Sequence, residues 1–193
     1  MRKSTLLLVP AFAGTFFLGH VFGQEVVQTF CDECESTYIS GDEIQEYLEV
    51  AMSDQQVRSL DVGKAQVQVA ISHRGRLEQP AGLAEHDLVT EVYYVISGSA
   101  TNVTGSDLIG AVARPPTNRA VQFLNGPGHN AREIRNGTTH ELSAGYILVI
   151  PAGTGHQFTR IDDHIRYVMI RIDPDKVVPL MDEADSREYL RNR

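Results

Sequence analysis

From about residue 57 to residue 172 the chain is a succession of short β-type runs cut by Gly, Pro, Asn and Asp. Candidate strands cover 57–62, 65–73, 89–96, 99–104, 119–123, 131–135, 139–142, 146–150, 155–160 and 164–172. They are short, closely spaced and joined by turns rather than helices. That texture selects an all-β antiparallel sandwich or barrel and excludes βαβ units. The stretch 105–130, rich in Gly, Pro and Asn, reads as a long loop excursion between strands.

Helical signals lie at the two ends. Ser40 followed by Glu43 forms a capping box, and Ile44, Tyr47, Leu48 and Ala51 then share one helical face, which predicts a helix over about 41–53. Residues 174–193 carry Pro174 and Pro179 and then a charged, helix-prone tail. The expected organisation is an N-terminal extension with a helix over 24–56, a barrel over 57–173 and a C-terminal tail over 174–193.

The first 23 residues are of a different kind. Arg2 and Lys3 precede an almost wholly apolar run over 5–18, and Gly23 stands two residues after Val21. This is the pattern of a cleaved signal peptide. Pro10 and Gly14 interrupt the run, which is short for a bilayer span. A secreted or periplasmic protein without a stable membrane anchor is expected. Cleavage removes two basic residues and no acid, taking the formal charge from −8 to −10. An acidic chain lacks the basic footprint that nucleic acid needs. Cys31 and Cys34 are the only cysteines. In an exported chain they suit a local disulfide or idle thiols, with a redox or metal role as the alternative.

Alternation assigns side chains to strand faces. In 65–73, Val67, Val69, Ile71 and His73 share one row, expected to point inward with His73 at its end. In 89–96, Glu91, Tyr93 and Val95 share one face and Val92, Tyr94 and Ile96 the other, so the strand is expected to be buried on both sides. A glutamate there is costly unless it ligates a metal or pairs with an internal arginine.

Two segments carry ligand-type residues at strand edges beside Gly- or Pro-directed turns. One runs from His86 through Glu91 to Gly98, an H-x4-E-x6-G pattern. The other runs from Gly145 through Pro151 and Gly153 to His156, a G-x5-P-x-G-x2-H pattern. Two imidazoles and one carboxylate converging inside a barrel make an open site suited to Fe(II), with Mn, Zn, Ni or Cu as other occupants.

These two patterns resemble the paired motifs of the cupins, small barrels also called double-stranded β-helices. The second motif matches from Gly145 to His156, with Arg160 where the family has Asn. The first lacks its leading Gly, at Glu78, and its first His, at Ala84. The resemblance covers roughly residues 60–172. It implies a cupin-type double-stranded β-helix with the N-terminal helix outside it, and His86, Glu91 and His156 as ligands of one divalent transition metal. His73 is a candidate replacement for the ligand missing at Ala84. Tyr93 or His73 could move a proton, with packing as the alternative for Tyr93. The implied function is a metal-dependent enzyme acting on a small organic substrate, of dioxygenase, lyase, isomerase or decarboxylase type. The alternative is a non-catalytic barrel that binds a small ligand, with or without metal. A homodimer is the expected assembly.

Overall fold

The computed structural model describes residues 34–50 and 53–191. The expected signal peptide and Cys31 lie outside the described residues; Cys34 is disulfide-bonded. No helix among the described residues is long and apolar enough to cross a membrane. The elements run α1 (Gly41–Val50), β1 (Asp54–Asp61), β2 (Gln66–Gly75), β3 (Leu83–His86), β4 (Thr90–Gly105), β5 (Leu108–Ile109), β6 (Val112–Ala113) and α2 (Arg119–Phe123). They continue with β7 (Gly128–Ala131), β8 (Glu133–Ile134), β9 (Thr138–Ser143), β10 (Ile147–Ile150), β11 (Gly155–Arg160), β12 (His164–Asp173) and α3 (Glu183–Arg191).

The architecture is all-β and antiparallel, and one strand explains its shape. β4 was expected as two strands, 89–96 and 99–104, but it is a single strand of 16 residues. Its first half pairs with β12 and β10, and its second half pairs with β9 and β11. The first sheet is completed by β1 and β2 beyond β12, and the second by β3, β7 and β6 beyond β11. β4 turns from one sheet into the other near Gly98, where φ is +76°. A Cβ there would collide with the carbonyl of His164. Opposite this point the β12 register slips between Arg166 and Tyr167, which is how a continuous strand absorbs a corner.

The core fills the space between the two halves. Ala70, Tyr93, Val95, Leu148, Ile150, Tyr167 and Met169 come from the first sheet and Ala100, Leu142 and Phe158 from the second. Tyr93 lies 4.7 Å from Tyr167 and 6.3 Å from Phe158 between ring centroids.

α1 packs outside the sheets, as expected. Ser40 Oγ accepts a hydrogen bond from the Glu43 N–H at 3.0 Å, but the capping box is only half made. The Glu43 carboxylate pairs instead with buried Arg58 at 2.7 Å. Tyr47 and Leu48 are fully buried against Val57 and Ile71. This corrects the facing of β2. Ile71 packs outward under α1, while Ala70 belongs to the core between the sheets. His73 shares the outer row, 6.1 Å from the His164 ring. The more apolar row is the outer one because the helix covers it, so apolarity alone could not tell inside from outside. β4 is likewise not buried on both faces, since Tyr94 is 47% exposed.

Other boundaries shift. Residues 119–123, expected as a strand, form α2, capped by Asn118 Oδ1 on the Ala120 N–H at 2.8 Å. β3 was not anticipated, because four residues carry too little periodicity. The tail is docked: Met181 bridges to Ser59, and Tyr47 and Ser186 share a hydrogen bond of 2.8 Å between α1 and α3.

Candidate functional site

His86 ends β3, Glu91 stands second in β4 and His156 second in β11. His156 is the cross-strand partner of Ala84, and His86 lies two residues further along the same face. Three short turns hold this corner. The Gly153 N–H bonds the His86 carbonyl at 2.7 Å, so the loop of the second motif is fastened to the first. The Ala152 N–H bonds Thr90 Oγ1 at 3.2 Å, and the Asp87 N–H bonds the Pro127 carbonyl at 3.0 Å.

The three expected ligands therefore converge. Their nearest ligand atoms lie within 4.8 Å of one another, and all three residues are buried. His86 Nε2 is 3.7 Å from Glu91 Oε1, and His156 Nε2 is 3.6 Å from Glu91 Oε2. They face a cavity of about 260 Å³ that is also lined by Arg74, Ala84, Tyr93, Arg114, Asn125 and Met169. Ala84 is thus in the wall of the cavity. His73 is not: it lies on the opposite face of β2, and neither of its expected roles, replacement ligand or proton carrier, is open to it.

Glu91 is held by three donors. Arg171 Nε donates to Oε1 at 2.9 Å, Asn125 Nδ2 to Oε1 at 2.9 Å and Tyr93 Oη to Oε2 at 2.7 Å. Arg171 is fully buried and extends to Gln56 Oε1 at 2.9 Å and to Asp54, so one guanidinium serves both lumen carboxylates. Burial alone would raise the Glu91 pKa, but neighbouring His86 and Arg171 outweigh it and hold the carboxyl below the usual range. Burial and the adjacent Glu91 charge push the Tyr93 phenol up, so it keeps its proton and donates it.

The two histidines stand in opposite tautomers. His156 Nδ1 lies 3.4 Å from the Thr154 carbonyl, an acceptor, which leaves a lone pair on Nε2. His86 Nδ1 lies 3.1 Å from Arg114 Nη2, and a guanidinium can only donate. A neutral His86 therefore carries its proton on Nε2, toward Glu91. Burial keeps it neutral, lowering its pKa to about 3. The donor set fits a divalent metal with one adjustment. His156 Nε2 offers a lone pair as it stands, as does Glu91 Oε2, which has one hydrogen-bond donor. His86 offers Nε2 only when its proton moves to Nδ1 and Arg114 turns away.

A second group lies on the other face of β3. His129 Nδ1 is 2.8 Å from Glu85 Oε2 and 3.1 Å from Asp87 Oδ1. His129 ties β7 to β3.

Arg74, Arg114, Asn125 and Arg171 escaped the sequence reading. Arg171 carried a signal: it shares parity with Ile165, Tyr167 and Met169 in β12, so it had to point inward. Arg114 and Asn125 sit in the 105–130 excursion, where no periodicity assigns a direction.

No protein-family model matches the chain, and no curated protein does. Solved structures of similar shape include a protein of Bacillus halodurans, at 16% identity and TM-score 0.45, over 81% of this chain and 98% of that one. A Klebsiella pneumoniae protein with a double-stranded β-helix domain gives 19% identity and TM-score 0.42, over 77% and 99%. A Bacteroides fragilis cupin gives 15% and 0.36, over 77% and 92%. The all-β antiparallel fold expected from the sequence is the fold of this chain, and its neighbours in shape include double-stranded β-helix and cupin proteins.

Proposed function

We propose that the protein is an exported, metal-dependent cupin that acts on a small organic substrate in the cavity between its sheets. The observation that carries this reading is the convergence of His86, Glu91 and His156 on one polar cavity, with ligand atoms within 4.8 Å of one another. These residues would hold one divalent transition metal, Fe, Mn, Zn, Ni or Cu. Bound there, such an ion would act as a Lewis acid toward substrate oxygens. The chain's own groups supply the rest. Arg171 and Asn125 fix Glu91, and the Tyr93 hydroxyl, 2.7 Å from Glu91, is the group placed to hold or pass a proton. Arg114 and Asn125 from the 105–130 segment line the cavity.

The test is elemental analysis of the purified protein beside His156→Ala and Glu91→Ala. The expected outcome is about one equivalent of a transition metal in the wild type, lost in both variants. A wild type that stays empty after reconstitution overturns the metal reading.

A second reading, a ligand-binding barrel without metal, is favoured by a specific observation. Glu91 already accepts three hydrogen bonds, one from a buried guanidinium, and His86 Nδ1 faces Arg114.

A further inference from the structure

The lumen carboxylates and guanidiniums do not pair one to one. Asp54 and Glu91 both bind Arg171. Arg114 donates to the Glu85 and His129 carbonyls, to Asn130 Oδ1 and to His86. That leaves Arg74. Its Nε donates to the Tyr167 hydroxyl at 3.0 Å, and its guanidinium lies 5.4 Å above the centre of the Phe158 ring. No carboxylate among the described residues lies within ion-pair distance of it, and none of them accepts from its two terminal nitrogens. The side chain is aimed by an aromatic face and a phenol, and it lines the same cavity as His156, Tyr93 and Ala84. A guanidinium oriented in this way presents a planar fork of donors that matches a carboxylate in two parallel hydrogen bonds.

We infer that the cavity takes a small organic carboxylate, and that Arg74 is the residue that selects it. The inference rests on the reading of the cavity as a small-molecule site, and it holds whether or not a metal is bound. Tyr167 and Phe158 are positioning residues for the fork. Ala84 in the opposite wall leaves space where a larger side chain would intrude.

Malonate and malonamide, matched in size and different in charge, are the probes. Their binding is measured by titration calorimetry at fixed ionic strength, on the purified protein as isolated and after chelator treatment. The wild type is expected to bind malonate about 10- to 100-fold more tightly than malonamide, the range for charge-assisted hydrogen bonds to one guanidinium. Arg74→Gln is expected to lose the preference with its metal content unchanged. Arg74→Lys, which keeps the charge without the fork, is expected to fall between, and it decides the matter if Arg74→Gln does not fold. A preference that survives chelation and disappears in Arg74→Gln supports the inference even if the metal reading fails. A wild type that does not distinguish the probes overturns it. So does a preference kept in Arg74→Gln but abolished by chelation, which would assign the anion to the metal.

Discussion

Glu91 sits among three donors and two histidines, and the balance among them decides what the cavity can hold. Each oxygen of a carboxylate has two acceptor sites. Arg171 and Asn125 occupy those of Oε1, and Tyr93 takes one on Oε2. The remaining site faces His156. Arg114 is then the residue that would oppose a metal in the proposed site, since its donor must leave His86 Nδ1 before Nε2 can ligate. Replacing it with a shorter amide removes that competition. Arg114→Gln is expected to raise metal affinity by about tenfold, the worth of one hydrogen bond from a charged donor. Competition against a chelator of known affinity measures it, and unchanged or weaker metal binding would refute it. His86, Glu91 and His156 were legible because their spacing is tied to turns that only certain residues can make. His73 was misplaced and Arg74, its neighbour, overlooked for one reason. The row of β2 that meets the lumen contains Gln68 and Ser72, whereas the row under α1 contains Val69 and Ile71. The outer row is the more apolar of the two and so reads as the inside, because α1 rather than the lumen covers it.

Elements are joined here by polar groups that also set their conditions of stability. β3 is a four-residue strand whose outer face carries Glu85, and β7 is fastened to it by His129 on Glu85 and Asp87. The hydrogen bond to Glu85 and the nearby Asp87 charge raise the His129 pKa above its ordinary value of 6.5. The folded chain therefore holds that proton more tightly than the unfolded chain does. The stabilisation is complete below the unfolded value and fades as pH rises through the folded one. Thermal melts of wild type and His129→Gln are expected to differ most on the acid side of pH 6.5 and to converge as pH rises above it. A difference that grows with pH would reverse the assignment. At this scale the sequence was legible where a local signal and a tertiary need agreed. Ser40 caps α1 as its pattern required, but Glu43, expected to close the box, satisfies Arg58 on β1 instead. A buried arginine needs a partner more than a helix terminus does. For α2 the helix is set by the Asn118 cap, a one-residue signal that the strand assignment of 119–123 did not take into account.

For the whole molecule, the two sheets are a consequence of one corner. Gly98, Gly145 and Gly153 recur in the motifs because each has positive φ, at +76°, +85° and +76°. That is why the two glycine-bearing motifs were legible, while the ordering of strands across the two sheets needed contacts far apart in sequence. The three glycines are not equivalent in their surroundings. A Cβ at Gly145 or Gly153 would meet nothing within 4 Å, so alanine there bears only the left-handed conformation, about 1 kcal/mol. At Gly98 the same strain is joined by a collision with the His164 backbone carbonyl, which the β12 register holds in place. Relief requires β4 and β12 to separate where the two sheets join. Gly98→Ala is therefore expected to cost about 3 kcal/mol or more in denaturant unfolding, against about 1 kcal/mol for Gly153→Ala. The corner also sets the angle between Glu91, before it on β4, and His156, paired with Thr104 after it. With the proposed metal bound, Gly98→Ala is expected to weaken its retention along with stability, whereas Gly145→Ala leaves retention unchanged. Equal costs at Gly98 and Gly153 would show that β4 can bend elsewhere and that the corner does not govern how the sheets meet.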